Sequence, residues 1–153
     1  MKTKIFCDSA DITTIKEFNK NPLVSGFTTN PSLMRKAGAK DYKNYSLKLL
    51  SVCKKKPISL EVFADKFDEM IRQANIINSW GKNVYVKIPV VNSKGLFSGA
   101  VINKLSNKGI KLNITAVYAV AQVRKIIKNL NKKSKTIISI FAGRMSDVGK
   151  DPL

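Results

Sequence analysis

The sequence has 153 residues, 44% of them hydrophobic, and a formal net charge of +18, which predicts one globular domain rich in lysine. It contains no histidine, which excludes Ser-His and Cys-His nucleophile chemistry and most zinc sites, and no apolar run long enough to span a membrane. The charge alone suits nucleic-acid binding, but the lysines are dispersed and lack interleaved aromatic residues, so we expect no nucleic-acid partner.

Apolar strands alternate with helical patterns along the whole chain. β-Branched runs predict six strands, at residues 4–7, 23–29, 58–62, 84–88, 110–114 and 136–141. Apolar spacing predicts helices between them, with stripes over 12–18 and 42–50 and longer helices over 66–80, 93–105 and 115–130. The predicted N-caps are residues 9–11, Asn30 or Ser32, and Asp65. Strict alternation of strands and helices predicts a fold with a parallel β-sheet. The helix that should follow the sixth strand is missing or has barely begun.

Every predicted strand has a polar residue at or just after its C-terminal end. In a (β/α)₈ barrel, functional groups from all strands gather at that rim. In an open doubly wound sheet they would gather at one switch point, and not every strand would contribute. The pattern therefore favours a barrel, and the residues concerned are Asp8, Asn30, Glu61, Lys87, Asn113 with Thr115, and Ser139 with Arg144.

Lys87 is the one charge inside the apolar strand that Pro89 closes. One interpretation is a lysine whose ammonium group extends along the strand to solvent. The other is a catalytic amine, because desolvation favours the neutral amine and a neutral amine can attack a carbonyl carbon. The strand alone leaves both interpretations open, and the polar ends of the other strands favour the second.

Five motifs together resemble one family over essentially the whole chain. They are the stretches 6–11 (FCDSAD), 26–32 (GFTTNPS), 86–89 (VKIP), 113–115 (NIT) and 141–144 (FAGR), in that order. They are similar to transaldolases, specifically to the short subgroup that includes fructose-6-phosphate aldolase. The GFTTNPS and VKIP motifs are specific in combination, whereas either alone would be weak.

The resemblance implies a (β/α)₈ TIM barrel of the class I aldolase type that needs no metal and no organic cofactor. It makes Lys87 the Schiff-base lysine and Asp8 the residue that handles the proton of the C4 hydroxyl. Glu61 is then the acid–base group that works through a water, and Thr115 holds that water. The substrate-binding residues that it implies are Thr29, Asn30, Asn113, Ser139, Phe141 and Arg144, the last for phosphate.

Three of these residues also have simpler structural explanations. Asp8 could be the N-cap of the first helix, Glu61 a charged strand end, and Arg144 a surface charge. Two positions distinguish the transaldolases of this subgroup from the fructose-6-phosphate aldolases. Glu61 and Phe141 of this chain are transaldolase-like, whereas the aldolase branch resembles Gln and Tyr at the matching places. A phenyl ring cannot donate a proton to the retained enamine, so we expect transfer to a second aldehyde rather than release of dihydroxyacetone.

The expected reaction moves a dihydroxyacetone unit from sedoheptulose 7-phosphate to glyceraldehyde 3-phosphate, in the pentose phosphate pathway. The alternatives are a fructose-6-phosphate aldolase, and an inactive or basic non-catalytic binding protein. The expected partners are phosphorylated sugars, and the family resemblance implies a homo-oligomer for the full-length family member. Two cysteines far apart in sequence suit a reduced, cytoplasmic protein.

A complete barrel has eight strands and usually ~250 residues, whereas six strands are readable here. We expect a single incomplete barrel domain over 1–153 with about six of the eight βα units. A fragment of a longer product, a shortened protein that borrows strands and a decayed copy all fit this pattern. Open edges at the first and sixth strands predict poor solubility or oligomer formation for the chain alone.

Overall fold

A computed structural model describes residues 3–151, which form six strands and seven helices. Within these residues, no helix has both the length and the apolar character that a membrane crossing requires. The strands are β1 (Ile5–Asp8), β2 (Val24–Thr28), β3 (Ile58–Glu61), β4 (Val84–Pro89), β5 (Leu112–Val117) and β6 (Thr136–Ile140). The helices are α1 (Ile12–Phe18), α2 (Pro31–Lys36), α3 (Tyr42–Val52), α4 (Phe67–Asn78), α5 (Gly99–Asn107), α6 (Val120–Asn129) and α7 (Ala142–Ser146).

The sheet has the strand order β1-β2-β3-β4-β5-β6, so each strand follows its predecessor in space as in sequence. The pairs β1·β2, β2·β3, β4·β5 and β5·β6 are parallel. A doubly wound sheet would reverse its order at a switch point, which this order does not do. The predicted fold, a TIM-barrel type with six of the eight βα units, is therefore confirmed.

The residues cluster into two compact units. The first holds the residues up to Glu61 together with Ile77–Tyr85. Its strands pair in register, with Asp8 opposite Thr28 and Thr28 opposite Ser59. Helix α1 packs against α3. The fully buried side chains of this unit include Ile15, Phe27, Met34, Leu49, Ile58 and Leu60.

The second unit holds Val62–Ile76 and the residues from Val86 onward. In it, Lys87 lies opposite Asn113 and Pro89 opposite Thr115, while α5 packs against α6. Its fully buried side chains include Ile88, Ile102, Leu105, Leu112 and Ile114. The expectation of one domain stays a prediction.

Two of the predicted helix caps are confirmed and one is wrong. The Asp11 carboxylate accepts a 2.7 Å hydrogen bond from the Thr14 N–H and begins α1. Asn30 caps α2 through Oδ1, with Pro31 at the first helical position. Asp65 instead accepts hydrogen bonds from the N–H and Oγ of Ser93, at 2.6 and 2.9 Å. It therefore links two loops and does not cap α4.

Helix α5 begins at Gly99, six residues later than the sequence pattern predicts. The intervening segment forms a turn in which Gly95 has φ +76°. Asn92 Oδ1 accepts hydrogen bonds from the N–H groups of Lys94 and Leu96. Local side-chain bonds of this kind compete with a helix, and here they replace its predicted first turns.

Helix α6 begins at Val120, so the expectation that Thr115 opens this helix is wrong. Thr115 lies within β5, which runs to Val117. The register of β5 against β6 shifts between Ile114 and Val117, and Ala116 has φ +57° there. A bulge of this kind lets the strand continue past the point where its regular ladder stops.

Candidate active site

Lys87 is the buried cation of β4, with 6% of its surface exposed. Val86 and Ile88 on either side of it are fully buried. Since alternate residues of a strand face opposite sides of the sheet, both faces of β4 are buried at this point. Exposure this low argues against a side chain that extends fully into solvent. The role of Lys87 as an amine nucleophile stays a prediction.

Two polar residues of β5 and β6 share the Lys87 face of the sheet. Asn113 is the register partner of Lys87 and is fully buried. Ser139 Oγ donates a 2.7 Å hydrogen bond to Asn113 Oδ1. The structure therefore brings together three of the predicted site residues, Lys87, Asn113 and Ser139, on three adjacent strands.

Thr115 follows two residues after Asn113 on β5, at the bulge. It is 2% exposed, and among the described residues its Oγ1 has no hydrogen-bond partner. A buried hydroxyl without a partner is costly, and bulges are common beside active sites, where they re-aim a side chain. Both features suit a hydroxyl that binds a water or a substrate atom.

Asp8 ends β1 and is exposed. Thr28 Oγ1, from the register-paired position of β2, donates a 2.7 Å hydrogen bond to Asp8 Oδ1. Asp11, not Asp8, caps α1, so the capping explanation of Asp8 is wrong. One carboxylate oxygen of Asp8 is held by Thr28, which fixes the direction of the other.

The residues that follow β2 have two different environments. Thr29 is fully buried, and its N–H and Oγ1 both donate to the Ser59 carbonyl oxygen, at 3.2 and 3.1 Å. The Oδ1 of Asn30 accepts the Leu33 N–H at 2.9 Å as the cap of α2. This use of Oδ1 leaves the Asn30 amide hydrogens for another acceptor.

Glu61 is the last residue of β3 and is half-buried. Its N–H and its carbonyl oxygen both bond to the hydroxyl of Tyr42, the first residue of α3. Glu61 lies two residues beyond Ser59, so it shares a face of β3 with the residue that pairs with Thr28. Glu61 and Asp8 both lie in the first unit of the chain.

Phe141 and Arg144 lie at the end of β6 and in the short α7. The Phe141 ring packs edge-on against Tyr118, with centroids 5.8 Å apart. Arg144 is exposed, and its ion-pair partner among the described residues is Asp147, at 3.6 Å and directly after the same helix. The structure does not bring Arg144 into contact with Asn113 or Ser139, and its phosphate-binding role stays a prediction.

Positive and negative charges are distributed unevenly along the sequence. No Asp or Glu lies between Glu69 and Asp147, whereas 14 Lys and Arg do. A positive field without nearby carboxylates raises the local concentration of phosphorylated ligands. Within residues 3–151, no three His, Cys, Asp or Glu side chains are grouped as metal ligands would be.

The sequence pattern did not identify three residues that contact candidate site residues. Thr28 holds Asp8, Tyr42 holds Glu61, and Tyr118 packs on Phe141. Thr28 belongs to the GFTTNPS motif, which was a signal that could have identified it. Tyr42 was assigned to an apolar helical stripe, and its spacing gives no sign of the hydroxyl's partner.

The chain is similar to known proteins over almost its whole length. Residues 5–152 match the family described as "Transaldolase/Fructose-6-phosphate aldolase". A "Probable transaldolase" of Herpetosiphon aurantiacus is 34% identical over 97% of this chain and 62% of its own length. Proteins with the same name from Streptococcus agalactiae and Methanococcus vannielii are each 37% identical, over 97% and 98% of this chain. The chain spans 62–65% of the length of these three relatives.

Proposed function

The chain belongs to the transaldolase/fructose-6-phosphate aldolase family, and on that premise we propose that it carries out Schiff-base transaldolase chemistry. A dihydroxyacetone unit passes from sedoheptulose 7-phosphate to glyceraldehyde 3-phosphate, which gives erythrose 4-phosphate and fructose 6-phosphate. The observation that carries the proposal is the buried Lys87, which shares one face of the sheet with Asn113 and Ser139.

The first half of the proposed reaction forms an imine. The Lys87 amine attacks the ketone carbon of the donor sugar, and the resulting carbinolamine loses water. Glu61 supplies and accepts protons through a water, and Thr115 binds that water through Oγ1. The unpartnered, buried hydroxyl of Thr115 supports this assignment.

The second half breaks and remakes a carbon–carbon bond. When the C3–C4 bond breaks, its electrons move into the imine and form an enamine, and Asp8 accepts the proton of the C4 hydroxyl. The aldehyde then leaves, and the enamine adds to the acceptor aldehyde by the reverse steps. The Thr28 hydrogen bond to one Asp8 oxygen supports this role, because the other oxygen remains able to accept a proton.

Substrate binding is assigned to the polar residues near the ends of the strands. Thr29, Asn30, Asn113 and Ser139 bind the dihydroxyacetone part, and Arg144 binds the phosphate. The Asn30 amide hydrogens and the carboxylate-free stretch from Met70 to Ser146 support an oxygen-rich, anionic ligand. Phe141 in place of a proton-donating side chain supports transfer rather than release of free dihydroxyacetone.

A borohydride experiment tests the Schiff base. Incubation with fructose 6-phosphate and borohydride should place a reduced dihydroxyacetone adduct on Lys87, located by peptide mass. Lys87→Met should abolish the adduct. Lys111→Met is the matched control, because burial and the neighbouring Lys135 lower the pKa of the Lys111 amine, and this variant should form the adduct as the wild type does. An adduct that persists in Lys87→Met would overturn the assignment.

A second measurement separates transfer from aldol cleavage. Fructose 6-phosphate is supplied with and without erythrose 4-phosphate, and both glyceraldehyde 3-phosphate and free dihydroxyacetone are measured. Transfer predicts turnover only with the acceptor, whereas release of dihydroxyacetone without it would identify a fructose-6-phosphate aldolase. Binding to DNA or RNA that falls steeply with added salt but persists at physiological salt, with no adduct at Lys87, would favour the basic binding protein.

The cytoplasmic location and the homo-oligomeric state belong to the same proposal. Cys7 and Cys53 are free thiols, which supports a reducing compartment. Light scattering at several protein concentrations measures the oligomeric state. A monomer at all concentrations would contradict the expected assembly.

A further inference from the structure

One hydroxyl group bonds to both backbone polar groups of Glu61. The Tyr42 hydroxyl donates to the Glu61 carbonyl oxygen at 2.9 Å and accepts from the Glu61 N–H at 2.8 Å. A phenol can donate and accept at the same time. The N–H and C=O of one strand residue point to the same side, so a single atom can reach both.

The Tyr42 hydroxyl occupies the place that a neighbouring strand would take. The bonds between β2 and β3 reach as far as the Thr29 N–H, which donates to the Ser59 carbonyl oxygen. Beyond that point the chain turns at Asn30 into α2. A backbone group left unpaired in a part-buried position costs free energy, and Tyr42 supplies the missing donor and acceptor.

Tyr42 is itself held in place from two directions. It is the first residue of α3, which Asp41 caps by accepting the Asn44 N–H at 2.7 Å. Its ring packs against Trp80, with centroids 6.0 Å apart. Burial, together with the charge of Glu61, raises the pKa of the Tyr42 hydroxyl above its ordinary value, so the donor stays protonated at neutral pH.

We propose that Tyr42 is the positioning residue for Glu61, and that its hydroxyl fixes the backbone from which the Glu61 carboxyl is presented. The consequence for catalysis rests on the proposed function, since Glu61 acts in imine formation only if that chemistry occurs. The consequence for the geometry of Glu61 does not rest on it.

Tyr45 offers a matched control one turn later on the same helix. Its hydroxyl lies 2.9 Å from the Ala10 carbonyl oxygen and 3.2 Å from that of Ala37. Burial and the charge of Asp11 raise its pKa as well. Tyr45→Phe therefore removes a similar hydroxyl with similar bonds to the backbone, and none of them involves Glu61.

The geometric part is tested by NMR. The chain has only three glutamates, Glu17, Glu61 and Glu69, so carboxyl-labelled glutamate gives three signals, and Glu61→Gln assigns one of them. Tyr42→Phe should speed exchange of the Glu61 amide hydrogen about tenfold, the effect of losing one hydrogen bond, and should move the chemical shift of the Glu61 carboxyl signal. Tyr45→Phe should lower the melting temperature similarly and leave both Glu61 readouts unchanged. Equal effects of the two variants on Glu61 would overturn the proposal.

The catalytic part is tested on the same proteins by borohydride trapping. Tyr42→Phe should slow adduct formation at Lys87 about tenfold and leave the fructose 6-phosphate concentration at half-maximal rate unchanged. Trapping at the wild-type rate would show that Tyr42 has no catalytic role. If the wild-type protein forms no adduct, the proposed function fails, and the NMR measurements still decide whether Tyr42 positions Glu61.

Discussion

The Oγ of Ser139 donates a 2.7 Å hydrogen bond to the Oδ1 of Asn113, across the β5–β6 pair. This bond fixes which way the buried Asn113 amide points, because Oδ1 must face the serine. Asn113 is in turn the register partner of Lys87. A side chain on the outer strand therefore sets the orientation of a polar group beside the candidate nucleophile.

Ser139→Ala should weaken substrate binding more than it slows the chemical step. The loss of one hydrogen bond, worth about 1 kcal/mol, frees the Asn113 amide and should raise KM for fructose 6-phosphate about fivefold. Steady-state kinetics measure both constants. Ser134→Ala is the matched control, since Ser134 lies just before the same strand and bonds to the Ile110 carbonyl oxygen. Equal KM changes in the two variants would contradict the assigned role.

Thr115→Val should slow the proposed reaction without destabilising the fold. The substitution keeps the shape and removes a buried hydroxyl that has no protein partner among the described residues, so the free energy of unfolding should not fall by more than about 1 kcal/mol. Imine formation should slow about a hundredfold if that hydroxyl holds the water used in acid–base catalysis. Thermal unfolding and borohydride trapping measure the two effects. A variant that is destabilised by more than about 1 kcal/mol and keeps the wild-type trapping rate would refute both expectations.

The parts of the fold that depend on neighbouring residues were predictable from the sequence. The Asp11 and Asn30 caps act three residues away, and each strand's apolar run identifies its position. The parts that depend on distant residues were not. Thr28 meets Asp8 from 20 positions away, and Tyr42 meets Glu61 from 19, so local periodicity carries no sign of either bond.

The errors at α5 and α6 have a similar physical cause. Apolar spacing continued through both segments, but a turn at Gly95 and a bulge at Ala116 replaced the predicted first turns. Thr115 was therefore placed at a helix start, although β5 carries it beside the bulge. Backbone conformations with positive φ, which interrupt a repeating pattern, were not anticipated from side-chain spacing, least of all at an alanine.

Gly26→Ala should destabilise the first unit without touching a polar group of the candidate site. A Cβ at Gly26 would lie 2.5 Å from the Phe6 ring and 2.7 Å from Pro57 Cγ. Overpacking of this kind costs about 1–3 kcal/mol, which chemical denaturation measures. Gly143→Ala is the control, because its Cβ would meet nothing within 4 Å and helix propensity favours alanine. An unchanged denaturation midpoint for Gly26→Ala would show that the ring moves aside.

The Asp65–Ser93 link should depend on pH in a direction that its hydrogen bonds determine. The N–H and Oγ of Ser93 both donate to the Asp65 carboxylate and hold its pKa below the ordinary value of 3.8. A lowered pKa means that the link is fully formed above pH 3.8 and is lost as the pH falls through the lowered pKa. Carboxyl NMR titration should give a midpoint for Asp65 below 3.8 in the wild type, and Ser93→Ala should raise it towards 3.8. Ser51→Ala is the control, because Ser51 Oγ donates to the Lys48 carbonyl oxygen of its own helix and, within residues 3–151, has no bond to Asp65. A midpoint that does not move in Ser93→Ala would mean that Ser93 does not hold the carboxylate in solution.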